Sequence, residues 1–186
     1  MRFKCAWPHR GGQVEEWERM LAINVHGLLY TTRAALPHLL SGAADAPRGV
    51  ADVVNISSIA GRVAWPNVGV YNLTKFGVNG FTVSLRQEVT RQHVQVGVLE
   101  PGSVGTELGS HNNDLVKTGF LEPFNAEHER LEPEDIADAI AFMVTRPCVL
   151  HRRTLGHAHG RCLTAGSHRS SVSTILVESA TRGEFS

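Results

Sequence analysis

Apolar side chains recur at three- and four-residue spacing over residues 14–41 (Val14, Trp17, Met20, Leu21, Val25, Leu28, Leu29, Thr32, Leu36, Leu39), which predicts one long amphipathic helix. Pro37 is expected to kink it near its end. Residues 42–49 are small and contain a proline, as in a surface connection, and the run Val50-Ala51-Asp52-Val53-Val54-Asn55-Ile56 then reads as a buried strand ending at Ser57-Ser58. A second helix is predicted over residues 70–92, with Phe76, Val78, Phe81, Leu85 and Val89 as its apolar face. Val94-Gln95-Val96-Gly97-Val98-Leu99 is the next strand, closed by Pro101-Gly102. Strand, helix, strand in this order makes a crossover unit of a parallel sheet, so the fold class is α/β.

Residues 112–130 are polar and mixed and read as a loop. Glu132-Pro133-Glu134-Asp135 opens a further helix, because acidic side chains favour the positive end of a helix dipole; Ile136, Ala139, Ile140 and Met143 supply its face and Pro147 stops it. From 148 to 173 the periodicity fails. That stretch carries His151, His157, His159 and His168 with four arginines and no acidic residue, so an irregular basic loop is expected. His157-x-His159 has no acidic companion nearby, and no metal site is assigned. Thr174-Ile175-Leu176-Val177-Glu178 is a short β-branched run that reads as a last strand before the tail.

The 186 residues are enough for one domain with a sizeable core. Eighteen basic and eighteen acidic side chains cancel, so nothing steers the chain as a whole toward nucleic acid or an anionic membrane. No apolar run has the length of a membrane span, and the first eight residues lack the apolar core of a signal peptide, so the expected location is the cytoplasm. Cys5, Cys148 and Cys162 are odd in number and far apart, which indicates neither a disulfide framework nor a metal clip.

The chemistry concentrates at Tyr71 and Lys75, four residues apart and therefore on one helix face. A phenol normally loses its proton near pH ~10, and an ammonium group held close favours the phenolate. Ser58, thirteen residues before Tyr71, sits where the strand ends and where active-site groups of parallel sheets are expected; its hydroxyl can face the phenol and hold a substrate carbonyl. Asn24 falls mid-helix, where its amide competes with backbone hydrogen bonds; taken alone it reads as well as a polar residue at the edge of a buried stripe. There is no Gly-x-Ser-x-Gly elbow around Ser58, which argues against a serine hydrolase.

Asn55-Ile56-Ser57-Ser58-x-x-Gly61 and Tyr71-x-x-x-Lys75, preceded by Asn24-Val25-x-Gly27 and followed by Pro101-Gly102-x-Val104-x-Thr106, resemble the short-chain dehydrogenase/reductase family in both content and order. The resemblance covers roughly residues 14–147. It implies the C-terminal part of a Rossmann-like, doubly wound parallel sheet in a three-layer α/β/α arrangement. Residues 1–147 would be the catalytic part of such a domain, 148–173 an irregular or inserted basic loop, and 174–186 the last strand and tail. It also implies an oxidoreductase that interconverts a secondary alcohol and a carbonyl with NAD or NADP. By this resemblance Tyr71 is the general acid or base, Lys75 lowers the Tyr71 pKa and bonds the nicotinamide ribose, Ser58 holds the carbonyl oxygen, and Asn24 bends its helix and anchors a proton-relay water. Pro101, Gly102, Val104 and Thr106 would line the nicotinamide end, residues 112–130 would be a substrate loop, and the helices of Asn24 and Tyr71 would pack in a homo-oligomer interface.

The family's Thr-Gly-x-x-x-Gly-x-Gly turn does not occur within these 186 residues. Its first strands are expected to be missing, which would leave the strand at 50–57 with an unpaired edge. A non-catalytic interaction or dimerisation module is therefore the alternative expectation.

Overall fold

The computed structural model describes residues 14–45, 47–107, 117–128, 130–145 and 155–156. The elements run α1 (Val14–Leu21), a π-helical turn (Ala22–His26), α2 (Gly27–Asp45), β1 (Ala51–Ile56), α3 (Gly69–Val89), β2 (Val94–Glu100), a second π turn (Lys117–Leu121), α4 (Glu122–Glu127), α5 (Pro133–Thr145) and β3 (Leu155–Gly156). The sheet is parallel with order β1-β2-β3 and in-register pairs from Ala51–Val94 to Ile56–Leu99. Among the described residues, β1 pairs only with β2.

Strand alternation sends successive side chains to opposite faces, and the core divides accordingly. On one face Val53, Val94 and Val96 pack with Ala43 and Leu40 of α2 and Leu85 and Val89 of α3. On the other, Val54 and Leu99 meet Met143, Ile136 and Ile140 of α5. Helices thus cover both faces of a parallel sheet, the three-layer arrangement expected of this pattern. Gly97 makes the second layer fit: a Cβ there would lie 2.5 Å from Met143 Cε, so the missing side chain is space the methionine fills. The opening of α5 follows the acidic pattern, with Asp135 Oδ2 accepting the Glu132 N–H at 2.8 Å.

Several expectations need correction. The helix predicted over 14–41 is interrupted at 22–26, where the Gly27 N–H donates to the Ala22 carbonyl and the turn widens around Asn24. It then passes through Pro37 to Asp45, because Gly42-Ala43-Ala44 are tolerated in a helix whose Ala43 is buried against the core. Phe76, Val14 and Leu29, assigned to core faces by periodicity, are exposed. The loop expected over 112–130 contains the second π turn and α4, stabilised by packing of Phe120 and Leu121 against the buried pair Met20 and Val68 and of Phe120 against the Trp65 ring. The short strand beside the end of β2 is Leu155–Gly156, inside the stretch expected to be irregular. Thr174 to Glu178, the three cysteines and the His157-x-His159 pair lie outside the described residues.

Candidate active site

The site forms where β1 and β2 end together. After Ile56 the chain turns at Ser57 and Ser58, held to β2 by Ser57 N–H donating to the Leu99 carbonyl at 2.7 Å and Ile59 N–H to the Pro101 carbonyl at 3.0 Å. Ser58 caps the short 3₁₀ turn Ile59–Gly61: its Oγ accepts the Ala60 N–H at 3.1 Å, and its hydroxyl donates a long bond of 3.4 Å to the Pro101 carbonyl. Ser57 instead donates to the Lys75 carbonyl at 3.2 Å, a structural bond between strand and helix.

A polar stripe on α3 faces this turn. Asn72 donates through Nδ2 to the Ala60 carbonyl at 2.7 Å and the Val63 carbonyl at 2.9 Å, and its Oδ1 accepts the Trp65 N–H at 3.3 Å. Asn79 donates to the Gly61 carbonyl and to the buried carboxylate of Glu100, which also accepts from Arg62 Nε at 2.7 Å. Gly61 lies in this seam, where a Cβ would come within 2.6 Å of Asn79 Nδ2 and 2.9 Å of the Lys75 carbonyl. The turn carrying Ser58 is thereby fixed against the helix carrying Tyr71 and against the last residue of β2. Sequence reasoning missed Asn72, Asn79 and Glu100 as the clamp. The signal was present, since polar residues 72, 75, 79 and 82 share one face of a helix that should bury it.

Lys75 Nζ lies 5.7 Å from the centroid of the Tyr71 ring and donates to the Ile56 carbonyl at 3.1 Å. Burial takes its ammonium out of water and pushes the Lys75 pKa down to about 8 from the ordinary 10.5. Asn24 Nδ2 donates to Thr74 Oγ1 at 3.2 Å, and Thr74, fully buried, donates in turn to the Tyr71 carbonyl at 2.8 Å. The π turn of the long helix is thus bonded directly to the start of α3.

All eight residues singled out in the sequence, Asn24, Ser58, Tyr71, Lys75, Pro101, Gly102, Val104 and Thr106, line one cavity of about 460 Å³. The second π turn and α4 close over it with Phe120, Leu121 and Phe124. Two backbone bonds between residues 103–105 and Leu131 fix the floor ahead of α5.

A model of the short chain dehydrogenase family matches residues 7–116. The chain belongs to the short-chain dehydrogenase family. It is 32% identical over 135 residues to an uncharacterised oxidoreductase of Staphylococcus aureus (strain MRSA252), covering 73% of this chain and 51% of that protein. To glycine betaine reductase of Emericella nidulans it is 36% identical over 138 residues, 73% of this chain but 10% of the larger protein. The chain therefore spans about half the length of the bacterial relative. Among solved structures, the closed form of a serine dehydrogenase complexed with NADP+ superimposes with a TM-score of 0.72 at 29% identity, covering 91% of this chain and 66% of that one. A 3-ketoacyl-(acyl-carrier-protein) reductase from Brucella melitensis complexed with NADH superimposes with a TM-score of 0.69 over 83% of this chain and 61% of that one; at 24% identity the likeness is one of fold.

The Lys75 pKa has a consequence for stability in this short-chain dehydrogenase. The unfolded chain keeps the Lys75 proton up to about 10.5, whereas the folded chain releases it near 8. Between those values the unfolded state binds more protons, so raising the pH through this window favours the folded state. Lysine-selective NMR should give Lys75 a midpoint near 8, with the resonance assigned by its loss in Lys75→Met. The stability gap between Lys75→Met and the parent chain should shift in the parent's favour as pH rises through the same window. A Lys75 midpoint at the ordinary lysine value would contradict the burial.

Proposed function

We propose that this chain supplies the proton-handling and substrate-holding groups of an NAD(P)-dependent oxidoreductase that interconverts a secondary alcohol and a carbonyl. The observation that carries the reading is the convergence of Asn24, Ser58, Tyr71 and Lys75 on one cavity at the carboxyl ends of β1 and β2. The residues fit the nicotinamide end of such a cofactor: an ammonium donor at Lys75, a hydroxyl-bearing residue at Thr106 and the Pro101-Gly102 segment all line the cavity. Among the described residues no glycine-rich turn opens a helix toward it. When bound, NAD or NADP supplies or accepts the hydride.

The side chains do the rest. Tyr71 gives its phenolic proton to the carbonyl oxygen as the alcohol forms and takes it back in the reverse direction. Lys75, positive below about pH 8, favours the phenolate and hydrogen-bonds the ribose. Ser58 holds the same carbonyl oxygen, because its long bond to the Pro101 carbonyl is easily exchanged for one to substrate. Asn24, tied to the Tyr71 backbone through Thr74, holds the proton-relay water. The proposed setting is the cytoplasm with a small-molecule substrate, without nucleic acid or membrane; among the described residues no helix is long and apolar enough to cross a membrane.

A specific observation favours the second reading, an interaction module, as an accompaniment. Tyr30 on α2 and Leu73, Phe76 and Val83 on α3 are exposed, and a Cβ at Gly77 or Gly80 would meet nothing. On α3 these residues share one face, which suits close packing of a second copy in a homo-oligomer. Placing a relative's first strands and glycine-rich turn ahead of residue 14 tests the catalytic reading. The chimera should consume reduced nicotinamide in the presence of ketones. A folded, cofactor-binding chimera that turns over no carbonyl in a broad panel would leave the interaction module standing instead.

A further inference from the structure

The cavity has a wall that the chemistry of proton transfer does not require. Trp65, in the turn after β1, meets Phe120 at a centroid distance of 5.7 Å and Phe124 at 5.9 Å, the latter edge to face. Phe120 and Phe124 stack at 5.5 Å, and His128 backs Phe124 at 4.3 Å, held by a bond between its Nδ1 and the Phe124 carbonyl. Trp65, Phe120 and Phe124 all line the cavity that holds Tyr71 and Ser58. Aromatic faces and edges attract other rings beyond the gain from area alone. The charged side chains among the described lining residues are both basic, Lys75 and Arg130, so these residues offer no counter-charge to an ammonium-bearing substrate and are compatible with a neutral or an anionic one.

We infer that the substrate is a ketone, or its secondary alcohol, on a flat ring-bearing apolar body, with the rings against Trp65 and Phe124 and the oxygen at Ser58 and Tyr71. This rests on the reading of the site as a carbonyl site, and the two can fail separately. The test uses the 186-residue chain and ligand binding, so it needs no turnover. The probes are α-tetralone, an open-chain ketone of equal carbon count, and tetralin, the same ring system without oxygen. Calorimetry or saturation-transfer NMR should give α-tetralone at least about tenfold tighter binding than the open-chain ketone. Trp65→Ala and Phe124→Ala should each remove most of that preference, and Trp65→Phe should retain it; variants are compared only where circular dichroism shows the parent fold.

Equal affinity for the ring and open-chain ketones, absence of α-tetralone binding, or indifference to both alanine variants would overturn the inference. Tetralin separates the two readings. If α-tetralone binds more tightly than tetralin and loses that margin in Ser58→Ala, both the ring wall and the carbonyl site are supported. If the two bind alike, both prefer the Trp65 wall and neither senses Ser58 or Tyr71, the ring wall stands and the carbonyl site fails.

Discussion

Tyr71→Phe in the chimera that carries a relative's cofactor-binding strands is expected to lower carbonyl reduction by about 10²–10⁴-fold, the contribution of a positioned general acid. The substitution removes one hydroxyl and leaves the ring that packs against the buried pair Met20 and Val68. Its backbone carbonyl still accepts from Thr74, so the bond chain to Asn24 stays in place. Cofactor affinity should therefore change by less than about twofold, the signature of an interaction made in the transition state only. Lys75→Ala would behave differently, because Lys75 is assigned both the support of the phenolate and the ribose contact. Loss of cofactor binding in step with activity in Tyr71→Phe would contradict the assignment of Tyr71 as proton donor.

Much of this site could be read from the chain because its chemistry is local in sequence. Tyr71 and Lys75 are one helical turn apart, and Ser58 follows a strand whose β-branched run is unambiguous, so spacing alone placed three groups at one sheet end. The parallel sheet followed from the two buried apolar runs of β1 and β2 with a helix between them, whereas its two covering layers were implied by the family resemblance. What periodicity misread was the role of apolar side chains on α2 and α3. It cannot tell a face that meets the core from one that is left for another surface, and so it placed Phe76 and Leu29 inside. The π turn at Asn24 left no mark in the periodicity, because one added residue in a helix has no compositional signature; the bend there was implied only by the family resemblance. The helical cover over the cavity was read as a loop since Lys117 to Glu127 has weak propensity and is shaped by Trp65, fifty-odd positions away in sequence. The Glu100 clamp was missed for a similar reason. A carboxylate at a strand end looks solvated until Arg62 and Asn79, each from a different segment, are seen to meet it.

The second large effect concerns the 186 residues expressed by themselves: titration with NAD(H) or NADP(H) is expected to show no saturation below about 1 mM, with ketone turnover at background. The reason lies in which contacts supply the binding energy. In a dinucleotide fold the pyrophosphate rests on a glycine-rich turn and the N-terminus of the helix that follows, where several backbone N–H groups and the helix dipole act together. The described residues offer only the nicotinamide end, through Lys75, Thr106 and the backbone at Pro101 and Gly102. A lysine whose proton is held weakly, with a pKa of about 8, and one hydroxyl cannot replace that set of donors. Correctly placed acid and base groups gain nothing from a hydride donor that is not held in line with the substrate. Calorimetry of the purified chain with both cofactors decides the matter. Micromolar affinity with measurable turnover would mean that these residues themselves cradle the pyrophosphate, and would overturn the view that the chain handles the proton while binding of the dinucleotide depends on contacts beyond those described.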